Sequence, residues 1–274
     1  MKLCMKIELR YASGSDVPAL RRNWQACFGD EDAYLDFFFK NRFRTAVSPV
    51  LTADGEVVSQ LFLLPATLRD DAGDTWDICY LFAAATHPEY QGRGYMAKLL
   101  RFAADEMRAQ GKRGIALLPG ERSLYTYYEK AGFRRTFRRR VWEGSLSELP
   151  QDSVPNDPQT NAIVFLETYL KKRTGVCWDR QALEYALEEH RLFRGRYAAN
   201  AHAFAATEGE TCHIISVPND LAAGVALLRQ MTQEDRVKLI LPPDAPLGET
   251  EDGGMFLAFR PTDLGEAFLC FAKE

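Results

Sequence analysis

The run Ile78-Cys79-Tyr80-Leu81-Phe82-Ala83-Ala84-Ala85 is apolar at every position. It leads, through Thr86-His87-Pro88, into Tyr90-Gln91-Gly92-Arg93-Gly94-Tyr95-Met96. A short uninterrupted apolar run reads as a strand buried on both faces. Gly92 and Gly94 then permit a sharp bend, and Ala97-Lys98-Leu99-Leu100-Arg101-Phe102 opens a helix. Strand, glycine turn and helix in that order commit the chain to an α/β arrangement. The first helical turn leaves backbone N–H groups unpaired and carries the positive end of the helix dipole. With Arg93 inside the turn, this is a phosphate cradle.

The flanking segments extend the same pattern. A strand over residues 6–11 precedes a helix with Ser15 or Asp16 as N-cap and Pro18 in its first turn. A second helix over 31–43 carries Tyr34, Leu35, Phe37, Phe38 and Phe39, a stripe that suits core packing or the wall of a substrate groove. Asp54-Gly55 marks a hairpin between Pro49–Thr52 and Val57–Leu64. After the helix begun at the cradle come a buried strand at 114–118, a short helix at 123–131 and a basic strand at 133–142. Residues 145–160, with Pro150, Pro155 and Pro158 among polar residues, read as a linker.

Beyond the linker the order recurs more weakly. Helices are expected at 161–172 and 179–189, then a hairpin at Glu208-Gly209-Glu210 and a strand at 212–217. A helix at 220–231 and strands at 237–241, 255–259 and 267–271 follow. The junction Ser216-Val217-Pro218-Asn219-Asp220-Leu221 has neither glycines nor a basic residue. One phosphate cradle per chain is therefore expected.

Composition narrows the function classes. At 274 residues the chain exceeds one average domain, and its net charge of −4 is unlike that of a dedicated nucleic-acid binder. Six scattered cysteines form no Cys-x-x-Cys pair, and four histidines form no helical His-x-x-x-His, so no metal is expected. No apolar stretch has membrane-spanning length, and Met1–Lys6 has no signal-peptide core, so the reading is cytoplasmic with no membrane partner.

Ser123-Leu124-Tyr125-Thr126-Tyr127-Tyr128-Glu129-Lys130-Ala131-Gly132-Phe133 supplies the second motif. Strand, Gln-x-x-Gly-x, helix, strand and a short helix ending Tyr-x-x-x-Gly-Phe together resemble the GNAT superfamily of N-acetyltransferases, over residues 7–142. Neither Gly-x-x-x-x-Gly-Lys-Ser/Thr nor Gly-x-Gly-x-x-Gly with an acidic partner is present. The resemblance implies a mixed α/β GNAT fold with a splayed central sheet. It extends to tandem members, such as those of the enhanced-intracellular-survival type, in which a degenerate second GNAT-like module helps wall the acceptor site. The expected division is a catalytic module over 1–144, a linker over 145–160 and a degenerate module over 161–274.

The same resemblance implies acetyl-CoA as co-substrate and a small-molecule or peptide amine as acceptor. Gln91, Gly92, Arg93, Gly94, Tyr95 and Met96 would wrap the pyrophosphate, Met96 standing where the family usually has Gly or Ala. The strand edge Ala83, Ala84, Ala85 and Thr86 would take the pantetheine arm, and the amide of Ala84 or Ala85 would polarise the thioester carbonyl. Tyr128, which alone fits Tyr-x-x-x-Gly-Phe, would protonate the departing thiolate, with Tyr125 one turn away. Ser123 stands where the family often contacts the cofactor, and it also suits a helix N-cap.

The general base stays open. The strand position where some members carry a carboxylate is Tyr80, Asp77 lies nearby, and His87 and a water-mediated route are alternatives. The arginines of Arg134-Arg135-Thr136-Phe137-Arg138-Arg139-Arg140 would fall on both faces of a strand, which suits acidic partners within the chain, cofactor phosphates or an acidic acceptor better than a nucleic acid. A non-catalytic acyl-CoA-binding or sensing protein is the alternative function.

Overall fold

Amphipathic helices against apolar strands leave one economical solution, a mixed sheet with helices on its faces. The computed structural model describes residues 5–150, 160–216 and 220–271. Strand β1 (Ile7–Tyr11) is followed by α1 (Val17–Phe28) and α2 (Asp32–Asn41). Pro18 sits in the first turn of α1, and Gly29, at φ +73°, closes it. The hairpin β2 (Pro49–Ala53) and β3 (Glu56–Arg69) turns at Asp54-Gly55, and β4 (Thr75–Thr86) returns beside β3. Then come α3 (Tyr95–Ala109), β5 (Gly114–Leu117), α4 (Arg122–Lys130) and β6 (Arg134–Ser145).

The remainder adds α5 (Ala162–Leu170), β7 (Gly175–Cys177), α6 (Arg180–Leu192), β8 (Arg196–Ala199), β9 (Ala203–Glu208) and β10 (Thr211–Ser216). It ends with α7 (Leu221–Met231), β11 (Arg236–Leu241) and β12 (Glu249–Ala258). The strands form one sheet in the order β1-β2-β3-β4-β5-β12-β6-β11-β10-β9-β8, with β7 also on β3. Helix-helix-strand-strand-strand-helix-strand therefore occurs twice, from α1 to β5 and from α5 to β11, with β7 inserted in the second. The last two strands of each set, β4 with β5 and β10 with β11, pair in parallel.

β12 joins the first set of strands from the far end of the sequence, lying antiparallel between β5 and β6. Its register sets Thr250, Glu251 and Asp252 opposite Arg140, Arg139 and Arg138. Arg138 and Arg135 both pair with Asp252, and Arg139 meets Glu251 at 3.6 Å. The basic strand thus finds acidic partners within the chain.

Cores lie on both faces. Leu99, Ala103 and Met107 of α3 pack on Leu61, Leu81 and Ile115. On the other face Trp24 gathers Phe38 at 4.8 Å, Phe62 at 5.6 Å and Phe82 at 5.7 Å. Tyr34, Leu35 and Phe38 of α2 are buried there, so the aromatic stripe is largely core, while Phe37 stacks on Tyr185 of α6 at 4.7 Å.

Two expectations change at the carboxy-terminal end. The strand read at 255–259 starts earlier, at Glu249, because its acidic half pairs with the arginines of β6. Residues 267–271 form no strand, and only the isolated bridges Phe137↔Ala267 and Gly175↔Phe268 tie them to the sheet. In the linker read at 145–160, Ser145 still belongs to β6 and Leu146 and Leu149 are buried. Residues 151–159, with Pro155 and Pro158, lie outside the described residues, as do Val217–Asn219 of the second junction and Glu274.

Candidate active site

The turn into α3 takes the form its glycines allow. Gly92 and Gly94 hold φ +74° and +72°, a left-handed conformation that a side chain disfavours, and Gly94 is the N-cap of α3. Gln91 anchors the turn by donating from Nε2 to the Thr86 carbonyl at 3.0 Å. Arg93 folds back over the Tyr90 ring, 5.0 Å from its centroid, and donates to the Glu89 carbonyl at 3.0 Å. Tyr95 is buried, and Met96 packs against the core beneath α3. Both side chains thus turn away from the cradle, which leaves the helix-start amides as its chemistry.

The strand before the turn is irregular where it matters. Gln60 of β3 pairs with Ala85 and Phe62 with Phe82, so Ala83 and Ala84 together oppose Leu61 in a β-bulge. Ala83 holds φ +46°, left-handed for a residue with a Cβ, at a typical cost of about 1–3 kcal/mol. Among the described residues the parallel ladder between β4 and β5 is confined to Cys79↔Ile115 and Tyr80↔Ala116. From Leu81 to Thr86 the strand edge facing β5 is splayed open. Ser59 braces its end, its Oγ lying 2.8 Å from Thr86 Oγ1 and 3.2 Å from the Ala85 carbonyl.

Tyr128 and Tyr125 project from α4 into the core on the α3 side. Tyr128 lies edge-on to Phe133 at 5.5 Å, and burial pushes its phenol well above the ordinary value, so it stays protonated at neutral pH. Tyr125 donates to the Asp252 carbonyl at 3.3 Å and lies under the Arg135 guanidinium. Ser123 is exposed, in the first turn of α4, and donates to Glu121, the residue at the N-cap position.

The candidates on β4 part company. Tyr80 is buried on the face opposite Tyr128, together with Phe82 and Ala83. Asp77 sits nine residues before Thr86, roughly 30 Å along an extended strand. Its side chain is 77% exposed and meets Lys112 at 3.4 Å. The structure therefore does not bring Asp77 to the bulge. His87 follows the strand directly, and its Nδ1 is buried without a hydrogen-bond partner.

Sequence reading missed the bulge and the cavity beside it. A cavity of about 380 Å³ is walled by Trp24, Asp30, Tyr34, Phe82 and Ala83 from one half of the chain and by Glu208 and His213 from the other. Asp30 is held there by the Trp24 indole N–H at 2.7 Å. Leu118 and Arg139 connect this space to a second, more polar groove that Tyr125 also lines. The wall is mixed, aromatic side chains standing with the Asp30 and Glu208 carboxylates and with Arg139 and His213, and such a space can seat an organic molecule whose cationic group meets a carboxylate. Asp30 and Glu208 lie 178 positions apart in sequence, so no motif spacing could have joined them.

Among curated proteins none matches the sequence. The fold is similar to that of a GCN5-related N-acetyltransferase from Kribbella flavida, with TM-score 0.71 and 13% identity over 92% of this chain and 71% of that one. A GCN5-related N-acetyltransferase from Anabaena variabilis gives TM-score 0.69 and 17% identity over 92% and 72%. Eis1 from Mycobacterium abscessus gives 0.67 and 13% over 92% and 73%. At such identities the likeness is one of fold. Residues 8–136 match the family model described as an acetyltransferase (GNAT) domain, and that stretch of the chain carries a GNAT acetyltransferase domain.

Proposed function

We propose that the chain moves an acetyl group from acetyl-CoA to a primary amine by direct attack of the amine on the thioester. The observation that carries this reading is the splayed edge of β4 beyond Tyr80, with the bulge at Ala83-Ala84 and the cradle at 91–96 at its end. A pantetheine arm is peptide-like, and it needs a strand edge with small side chains to lie against. Ala84, Ala85 and Thr86 supply that edge, and the amide of Ala84 or Ala85 polarises the thioester carbonyl. The amides of Gln91, Gly92, Arg93, Gly94, Tyr95 and Met96 hold the pyrophosphate. Ser123 and Tyr125 border the cofactor from α4.

The cavity beside Ala83 receives the acceptor, a small molecule or a peptide end, with Asp30 and Glu208 facing its ammonium group. The amine lone pair forms the new bond to the carbonyl carbon, the C–S bond breaks, and Tyr128 protonates the departing sulfur. The nitrogen's surplus proton replaces the one Tyr128 gave. In this reading residues 1–144, completed by β12, are the catalytic module, 145–160 the linker and 161–274 a degenerate GNAT-like module. The repeated element order supports that division. The protein works in the cytoplasm.

Thiol release measured over an amine panel, with desulfo-CoA binding followed by thermal shift, tests the reading. Tyr128→Phe lowers kcat by roughly 10²-fold and leaves desulfo-CoA binding unchanged. Binding without thiol release on any amine overturns acetyl transfer and favours an acyl-CoA-binding protein.

A further inference from the structure

Amine acetylation has to dispose of a proton before attack, because an alkylammonium has no lone pair to offer. No carboxylate stands on β4 at the bulge, where Tyr80 and Phe82 face the acceptor side. One does reach that side from the distant α6. Glu189 is 3% exposed, and it is the one fully buried carboxylate among the described residues. The Tyr34 hydroxyl donates to Glu189 Oε1 at 2.6 Å and the Tyr185 hydroxyl donates to the same oxygen at 3.2 Å. Burial and the adjacent Glu189 charge keep the Tyr34 phenol protonated.

Two cavities meet at this cluster. Tyr34 lines the cavity of about 380 Å³ beside Ala83, and Glu189 lines a smaller one of about 40 Å³ with Tyr80, Tyr185 and Arg42. Phe82 is the wall they share. The smaller cavity has room for a water molecule. Around Glu189 stand Tyr34 and Arg42 from α2 and its end, Tyr80 from β4 and Tyr185 from its own helix. Asp179 acts on Arg42, and Asp30 acts on Tyr34. Arg42 stacks over the Tyr185 ring at 5.2 Å, and its buried Nε has no hydrogen-bond partner. A buried carboxylate of this kind is a poor stability device, since an apolar replacement is often neutral or better.

We infer that Glu189, acting through the Tyr34 hydroxyl, is the general base that deprotonates the acceptor amine. The inference rests on the acetyl-transfer reading above. One ammonium proton passes to Tyr34 Oη as the phenol's own proton passes to Glu189 Oε1. The freed lone pair attacks the thioester carbon, the C–S bond breaks, and the proton on Glu189 leaves through the smaller cavity. No net charge stays on Tyr34. Its hydroxyl touches the substrate, and Glu189 acts through it.

The test compares wild type, Glu189→Gln and Tyr34→Phe on ethylamine, benzylamine and spermidine, following thiol release from pH 6.5 to 10 with the fastest acceptor. Melting temperature and desulfo-CoA binding are measured alongside. Both variants are expected to bind desulfo-CoA as wild type does and to lose roughly 10²-fold in kcat/KM at pH 7. Their deficit then shrinks as the pH rises and the neutral amine fraction grows, and it closes as the pH approaches the amine's own pKa. A deficit equal at every pH, or no deficit in either variant, overturns the relay. Should Glu189→Gln fail to fold, Tyr34→Phe alone decides, because it keeps the ring and removes only the hydroxyl. A wild type that binds desulfo-CoA and acetylates no amine overturns the acetyl-transfer reading and the relay with it.

Discussion

Ala83 keeps a Cβ at φ +46°, where glycine would sit without strain, and it does so inside a strand whose neighbours are all large or apolar. The backbone there is held by β3 on one side and by the Trp24-Phe82 packing on the other. Ala83→Gly removes the Cβ penalty, so we expect the melting temperature and the desulfo-CoA affinity to hold or rise. Ala83→Val adds a β-branch that the left-handed region excludes, and the bulge must then relax. Thermal melts should show a loss of about 1–3 kcal/mol for this variant, with weaker desulfo-CoA binding at temperatures where it is still folded. Equal behaviour of the two variants would mean that the bulge does not set the binding edge. At this scale the sequence showed the two motifs, because Gln91, Gly92, Gly94 and Tyr128 carry their meaning in local spacing. The bulge was hidden, since alternation cannot slip visibly in a run where every residue from Ile78 to Ala85 is apolar. Asp77 and Tyr80 looked alike as candidates in the sequence, yet one ends in solvent and the other in the core.

Elements were legible wherever periodicity or a turn signal was strong. Helices α1 to α4 and the Asp54-Gly55 hairpin fall where the sequence places them, within a few residues. The short strands β7 and β8 escaped, since three or four residues carry no period, and β7 exists through its pairing with Thr67–Arg69 of β3. The acidic start of β12 escaped for the opposite reason. Glu249, Glu251 and Asp252 have poor strand propensity, and the arginines opposite Thr250, Glu251 and Asp252 offset it. Charge also fixes the junction between β1 and α1. Arg10 donates to both carboxylate oxygens of Asp16, at 2.7 and 2.9 Å, and the Ser13 amide donates at 2.7 Å. The Arg10 guanidinium, with the Ser13 contacts, holds the Asp16 carboxyl well below the usual carboxylate range. A depressed folded-state value means that the stabilisation is complete above the unfolded carboxylate value of about 3.9 and disappears as the pH falls below it. Asp16→Asn should therefore melt below wild type by a constant interval from pH 5 to 8. The gap should narrow once the pH falls below about 4 and close only in stronger acid, as the pH passes through the depressed folded-state value, and a gap that persists beyond that would assign the loss to capping alone.

Sequence distance and spatial neighbourhood diverge most at the scale of the whole chain. β12 is synthesised after more than a hundred residues that belong elsewhere, yet it lies between β5 and β6 with Met255 fully buried and Phe256 3% exposed. Without it, β5 and β6 would each present an unpaired edge, and the core beneath α4 would lose Met255. β6 binds the two sets of strands from its other edge as well, through the ladder from Arg140–Ser145 to β11. This wiring argues that the chain folds as one cooperative unit although its element order is repeated. A chain stopped after Gly248 should then lose desulfo-CoA binding and expose apolar surface to a hydrophobic dye, even though the cradle and Tyr128 are all retained. In the complete chain, Met255→Ala should cost about 2–5 kcal/mol, the range for a buried methionine truncated to alanine. Denaturant unfolding followed by far-ultraviolet dichroism and by desulfo-CoA protection should shift together in that variant. Two separated transitions, with only the first displaced by Met255→Ala, would show that the second set of strands folds independently of β12.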